Sequence, residues 1–243
     1  MNHLQITITK FDGIMKKTIL LFICILTYPH YSSGMEEFWT QGYQQAISGF
    51  WGNVESVSGP GSSIDQTKVV QRAISSIINE YRIQTILDVP CGDFNWMRLV
   101  ELNNCVYVGA DIIKPLIDRN NEKYACSNIS FIHLDVTHDP LQRCDLIICR
   151  DLLVHLSTTD IFKALQNFKA SGSKYLLTTT FLKMRSNTNA EIESGGWRPL
   201  NLKNAPFNFP NPDLIINEGC TEQNGTYNDK SLGLWRLETL RLD

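Results

Sequence analysis

Three short apolar runs, each closing on or next to an aspartate, set what this chain can fold into: Thr85-Ile86-Leu87-Asp88-Val89, Val106-Tyr107-Val108-Gly109-Ala110-Asp111 and Ile129-Ser130-Phe131-Ile132-His133-Leu134-Asp135. Runs this short, rich in β-branched and aromatic residues and bounded by turn formers, are strands rather than helices. Asp88, Asp111 and Asp135 are separated by 23 and 24 residues, spacings that accommodate strand-helix-strand repeats. Parallel strands joined in that way bring their carboxyl ends to one edge of the sheet. Carboxylates remote in sequence then meet at the edge where open α/β sheets bind ligands.

The flanking pattern supports the same architecture. Residues 64–81 carry Val69, Val70, Ile74, Ile77 and Ile78 among polar positions, a helical period that feeds the first strand. Pro90-Cys91-Gly92-Asp93 turns the chain sharply, toward an expected helix containing Trp96 and Leu99. Asp145-Leu146-Ile147-Ile148-Cys149 reads as a fourth strand, residues 152–168 as a helix and residues 175–181 as a fifth strand. Residues 195–212, dense in Gly, Pro, Asn and aromatics, read as a long surface or substrate-facing loop. Leu214-Ile215-Ile216 and residues 232–237 supply two late strands, consistent with a hairpin at the sheet edge. Repeated changes of period favour a parallel α/β fold over a helix bundle.

The length of 243 residues suits one substantial core with appendages. The expected organisation is a leader-like or extended segment over 1–34, a helical and loop extension over 35–84, and a domain over 85–243 with a substrate-facing loop near 183–213. Lys16 and Lys17 precede the apolar residues 18–27, a run too short to cross a membrane but suited to a signal peptide if translation begins at Met15. A net charge of -3 gives no nucleic-acid signal. The seven cysteines show no paired CxxC arrangement, so no metal site is expected and a reduced core role is favoured for each. Six remain after a leader containing Cys24, which keeps a secreted, disulfide-stabilised interaction protein open as an alternative.

Ile86-Leu87-Asp88-Val89-Pro90-Cys91-Gly92-Asp93, with Tyr107-Val108-Gly109-Ala110-Asp111 and Phe131-Ile132-His133-Leu134-Asp135, resembles the class I family of S-adenosylmethionine-dependent methyltransferases. The resemblance implies a Rossmann-like α/β fold, a predominantly parallel seven-stranded sheet ordered 3-2-1-4-5-7-6 with a late antiparallel strand. It implies S-adenosyl-L-methionine as cofactor. Asp88 and the Cys91-Gly92-Asp93 backbone would hold its amino-acid portion, Asp111 its ribose, and Asp135 with Val136 its adenine, while Cys149, Arg150 and Asp151 form a further wall. The family usually has several glycines after the first strand, whereas this loop has only Gly92. A nicotinamide enzyme would need GxGxxG at the same place, and Pro90-Cys91-Gly92-Asp93-Phe94-Asn95 lacks it.

Methyl transfer calls for orientation of the acceptor and, for an oxygen or protonated nitrogen, a general base. His155 is the leading candidate, with Arg150 or Asp151 organising the acceptor. A helix through this segment would put Asp151 and His155 four residues apart on one face. Trp51 and Glu55 are candidates for a loop closing over the site, Trp96 for its border, and Trp197 and Arg198 for substrate contact. The expected activity is methyl transfer to a small molecule or an exposed metabolite group. A noncatalytic cofactor-binding protein is the alternative of a different class. Cofactor supply favours the cytoplasm, while the leader-like segment keeps secretion or membrane targeting open.

Overall fold

Helices bury the apolar strand runs from both faces of one sheet. The computed structural model describes residues 34–49 and 55–242, and its described residues from Met35 onward belong to one compact unit. The leader-like segment, Cys24 and Trp51 lie outside the described residues.

The described strands are β1 (Thr85–Asp88), β2 (Val106–Asp111), β3 (Ile129–His133), β4 (Leu146–Cys149), β5 (Tyr175–Phe181), β6 (Leu214–Asn217) and β7 (Lys230–Arg236). Their order is β3-β2-β1-β4-β5-β7-β6. The first five run parallel, and β7 is inserted antiparallel between β5 and β6. The fold and strand order are those that the family resemblance implies. The register pairs Asp88 with Gly109 and Asp111 with His133, so the aspartate-bearing ends share one edge. Because β6 is antiparallel to β7, the end of β6 and the start of β7 reach the same edge.

Helix α1 (Met35–Ile47) is followed by α2 (Ile64–Glu80), α3 (Lys114–Tyr124) and α4 (Thr158–Ala170). Ser63 caps α2 by accepting from the Gln66 amide, and Thr67, Val70, Ile74, Ile77 and Ile78 form its buried stripe. That stripe joins Ile86, Tyr107, Ile148 and Leu177 in one core. Ser157 caps α4, whose Ile161, Ala164, Leu165 and Phe168 pack with Leu87, Ile147, Leu176 and Trp235 in a second core.

Three expectations about local structure change. The helix expected around Trp96 and Leu99 is only a 3-10 turn over Met97–Leu99. Phe94 adopts φ 58° and places its ring 5.2 Å from those of Tyr107, Tyr124 and Phe131, so packing of one aromatic takes precedence over a helical path. The helix expected from residue 152 begins at Thr158; before it Asp151 has φ 59° and Leu153–His155 form a separate 3-10 turn. The stretch expected as a surface or substrate-facing loop has no helix or strand, as expected, but it is a strap pinned to the fold, because Leu200, Leu202, Phe207 and Phe209 are buried in the core. Phe209 lies edge-on to Trp235 at 5.3 Å, and the Trp235 indole donates to the Pro210 carbonyl at 2.9 Å.

Candidate active site

β1 delivers Asp88 to the sheet edge, where Tyr107 Oη donates to Asp88 Oδ2 at 2.7 Å. Burial pushes the Asp88 carboxyl up to about 7 despite that bond and the positive charge of Arg150. The chain then turns through Gly92, at φ 55°, where a Cβ would lie 2.3 Å from Ser58 Oγ. Both the conformation and the close approach require glycine. The Gly92 amide donates to Asp111 Oδ2 and the Ile113 amide to Asp111 Oδ1, each at 3.1 Å. Burial nevertheless raises Asp111 to about 6. The two strand ends are thereby tied together through a carboxylate that resemblance places at the ribose.

Cys91 and Asp93 have structural contacts of their own. Asn120 Nδ2 lies 3.9 Å from the buried Cys91 thiol and donates to the Gly92 carbonyl at 2.7 Å. Asp93 accepts from Ser56 Oγ and the Val57 amide, both at 2.9 Å. Its side chain therefore anchors the N-terminal loop beside the first-strand turn. Glu55 reinforces this tie by accepting from the Ile64 amide at 2.8 Å and Asn95 Nδ2 at 2.9 Å.

Beyond β2 and β3 lies a narrow cleft with a cavity volume of about 30 Å³. Val89, Pro90, Ile112, Leu134, Val136, Leu152 and Leu156 give it apolar walls; Asp111, Asp135 and Thr137 give it polar edges. Met35 and Trp39 complete the lining from α1. Asp135 accepts from the Thr137 amide at 2.9 Å and Thr137 Oγ1 at 2.7 Å, with His138 Nδ1 at 3.1 Å. Burial works upward on its pKa, but the bonds from Thr137 and His138 prevail and hold it below its ordinary value. Apolar walls with two carboxylates at the rim suit a flat heteroaromatic ring joined to a hydroxylated sugar. The residues present thus fit the adenosine portion of S-adenosylmethionine.

At the end of β4, Cys149 is fully buried in the core, which raises its thiol pKa, and Thr178 Oγ1 donates to its carbonyl at 2.7 Å. Arg150 is buried too; its Nη2 lies 2.7 Å from Glu218 Oε2 and donates to the Gly61 carbonyl at 3.0 Å. Asp151 sits 2.5 Å from Lys230 Nζ and 3.4 Å from Arg150 Nη1. Burial alone would raise the Asp151 pKa, but these two cations hold it well below the carboxylate range.

His155 makes no hydrogen bond to Asp151 in the place of the expected helical pair. Its Nδ1 lies 2.7 Å from the Gly196 carbonyl. A carbonyl only accepts, so Nδ1 carries the proton and the neutral ring keeps its lone pair on Nε2. Burial lowers the pKa of His155, favouring that neutral form. Trp39 packs edge-on to the ring at 5.4 Å.

Of the substrate-contact candidates, Trp96 is buried with Arg150 5.6 Å from its ring centroid. Trp197 is partly buried, 4.9 Å from Tyr227. Arg198 is 1% exposed and donates to the carbonyls of Ala190 at 3.1 Å and Leu153 at 3.0 Å. Burial lowers its pKa to about 10. It ties the strap to the turn preceding α4. Sequence reasoning missed Met35, Trp39, Glu218 and Lys230. The two charges had a signal, since each borders a late strand, but nothing local to α1 revealed which sheet edge Trp39 covers.

All six described cysteines are free, so no disulfide among them supports the interaction-protein alternative. No described helix is long and apolar enough to cross a membrane.

A family model described as "Methyltransferase domain" matches residues 86–171. No curated protein matches the chain by sequence. Human N-acetylserotonin methyltransferase in complex with SAM is similar in structure, with a TM-score of 0.60 and 13% identity over 90% of this chain and 66% of that one. This chain thus covers just under two thirds of that protein. The N-methyltransferase NodS from Bradyrhizobium japonicum WM9 in complex with S-adenosyl-l-homocysteine gives a TM-score of 0.55 and 15% identity, over 80% of this chain and 97% of that one. The methyltransferase domain of bacterial CtHen1 gives 0.53 and 11%, over 70% and 99%. At such identities the likeness is one of fold.

Proposed function

Since the chain contains a class I S-adenosylmethionine-dependent methyltransferase domain, we propose that it transfers a methyl group from that cofactor to a small-molecule acceptor. The observation that carries this reading is the meeting of Asp88, Asp111 and Asp135 at one sheet edge beside an apolar cleft. Two structurally similar enzymes hold SAM or S-adenosyl-l-homocysteine, in keeping with a cofactor here.

Asp111 would accept from ribose hydroxyls, Asp135 and Val136 would frame adenine, and Asp88 with the Cys91-Gly92-Asp93 backbone would meet the amino-acid portion. Met35 and Trp39 would cover the adenosine and exclude water. S-adenosylmethionine, when bound, supplies an activated methyl carbon and its own leaving group. The chain's residues orient the acceptor and manage its proton. His155 Nε2 holds the available lone pair and is the proposed base, while Arg150 and Asp151 shape the acceptor side through their contacts with Glu218 and Lys230.

The test is binding of S-adenosylhomocysteine to folded protein, followed by transfer of labelled methyl from S-adenosylmethionine to a chemically diverse set of small acceptors. Saturable binding and time-dependent transfer are expected. Binding with no transfer across a broad set would favour a noncatalytic cofactor-binding protein, and no binding would overturn the cofactor site itself.

A further inference from the structure

We propose that Glu218 Oε1 is a docking point for the methyl acceptor and receives an N–H or O–H donor from it. This inference rests on the methyltransferase reading and names the acceptor chemistry it serves.

The two oxygens of Glu218 have very different surroundings. Arg150 directs both Nε, at 3.2 Å, and Nη2, at 2.7 Å, to Oε2. Lys230 Nζ is 3.6 Å from that same oxygen. Oε1 is buried and has no hydrogen-bond partner among the described residues, and the Glu218 side chain is only 1% exposed. Buried side-chain oxygens are nearly always paired, and an arginine-carboxylate pair commonly uses both oxygens in a fork. Here the fork converges on one oxygen, and no described residue gives the other a donor.

Its neighbours lie at the edge that carries the proposed cofactor site. Arg150 follows β4 directly, Glu218 follows β6, and Lys230 opens β7, all at the sheet edge that carries the aspartates. The positive charge of Arg150 is felt at Asp88, and Arg150 also packs against Trp96. The Pro60–Ser62 turn approaches from the N-terminal loop, with its Gly61 carbonyl bonded to Arg150. The docking point thus borders the proposed cofactor loop without belonging to it.

Charge defines the ligand class. Arg150 and Lys230 are balanced by Asp151 and Glu218, and Glu222 adds a further negative charge that acts on Arg150. A carboxylate or phosphate would bring an acceptor to an acceptor; an amine or hydroxyl brings the missing donor. Glu218 therefore selects and orients an amino- or hydroxyl-bearing molecule.

The experiment titrates protein saturated with S-adenosylhomocysteine with ethanolamine, using acetate as the control, and follows binding by NMR and by soaking crystals. Ethanolamine is expected to bind with its nitrogen or oxygen about 3 Å from Glu218 Oε1. Glu218→Gln is expected to weaken ethanolamine binding about tenfold or more, since the amide can turn a donor toward the ligand. Its S-adenosylhomocysteine affinity should stay within about twofold, a separation that general misfolding would not produce. Equal ethanolamine affinity in the two proteins, preference for acetate, or an ordered water alone at Oε1 in the soaked crystal would overturn the proposal. If Glu218→Gln fails to fold, the soaked wild-type crystal decides. Failure of folded wild-type protein to bind S-adenosylhomocysteine would overturn the methyltransferase reading; binding of it without ethanolamine would overturn this proposal alone.

Discussion

Single carboxylates at the sheet edge carry opposite pH dependences. Asp88 rises from 3.8 to about 7 on burial, so the fold favours its protonated form. The stabilisation is full below about 4 and is lost as pH rises through about 7; Asp111, raised to about 6, acts in the same direction. Asp135 is held low, so its contribution is present at neutral pH and lost on acidification. Urea unfolding between pH 5 and 8 should therefore show falling stability for the cofactor-free protein. Asp88→Asn, which keeps an acceptor for Tyr107, should flatten that slope by on the order of 2 kcal/mol. An unchanged slope would mean that Asp88 is ionised throughout. For His155, with the proton on Nδ1, the expectation is kinetic. His155→Ala should lower kcat about 100-fold or more while S-adenosylhomocysteine affinity measured by calorimetry stays near wild type; equal losses in both would assign the residue to packing.

At the scale of elements, α1 lends Met35 and Trp39 to the lining of the cleft, and the N-terminal loop is tied to the first-strand turn through Asp93 and Glu55. Gly92→Ala places a methyl 2.3 Å from Ser58 Oγ at a left-handed φ. The loop held by Asp93 must then shift, at an expected cost of about 1–3 kcal/mol. Thermal unfolding should show the loss in Tm, and S-adenosylhomocysteine binding should weaken with it; an unaltered Tm would show that the loop yields freely. Trp39→Ala removes the aromatic cover contributed by α1 to the cleft. We expect about tenfold weaker cofactor binding with little change in the urea midpoint, because Trp39 is only partly buried. These contributions were not legible in the sequence. A helix in this extension is legible locally, but what it docks against lies across intervening strands.

Over the whole molecule, β7 closes the fold. Trp235 is 1% exposed and packs against Phe209 of the strap, and a Cβ at Gly233 would meet its ring at 2.2 Å. Trp235→Ala should cost about 3–5 kcal/mol in urea unfolding, with the cavity left behind adding to the lost burial. A loss below about 1 kcal/mol would mean that the strap collapses into the space. Because the described cysteines are free, reductant should leave the unfolding midpoint unchanged; a drop would reveal a disulfide and revive the secreted alternative.

The amino-acid sequence by itself determined the sheet, its parallel character and the meeting of Asp88, Asp111 and Asp135. Strand period and repeat spacing are local properties, and parallel connection then places the carboxyl ends on one edge. Only the tertiary structure decided what those ends face. Phe94 took the place of a helix because its ring fills a gap among Tyr107, Tyr124 and Phe131. Asp151 turned to Lys230 instead of His155 because β7 inserts beside β5 and brings that cation within 2.5 Å. Burial then set the state of each charge, and burial belongs to the assembled chain rather than to any segment of it.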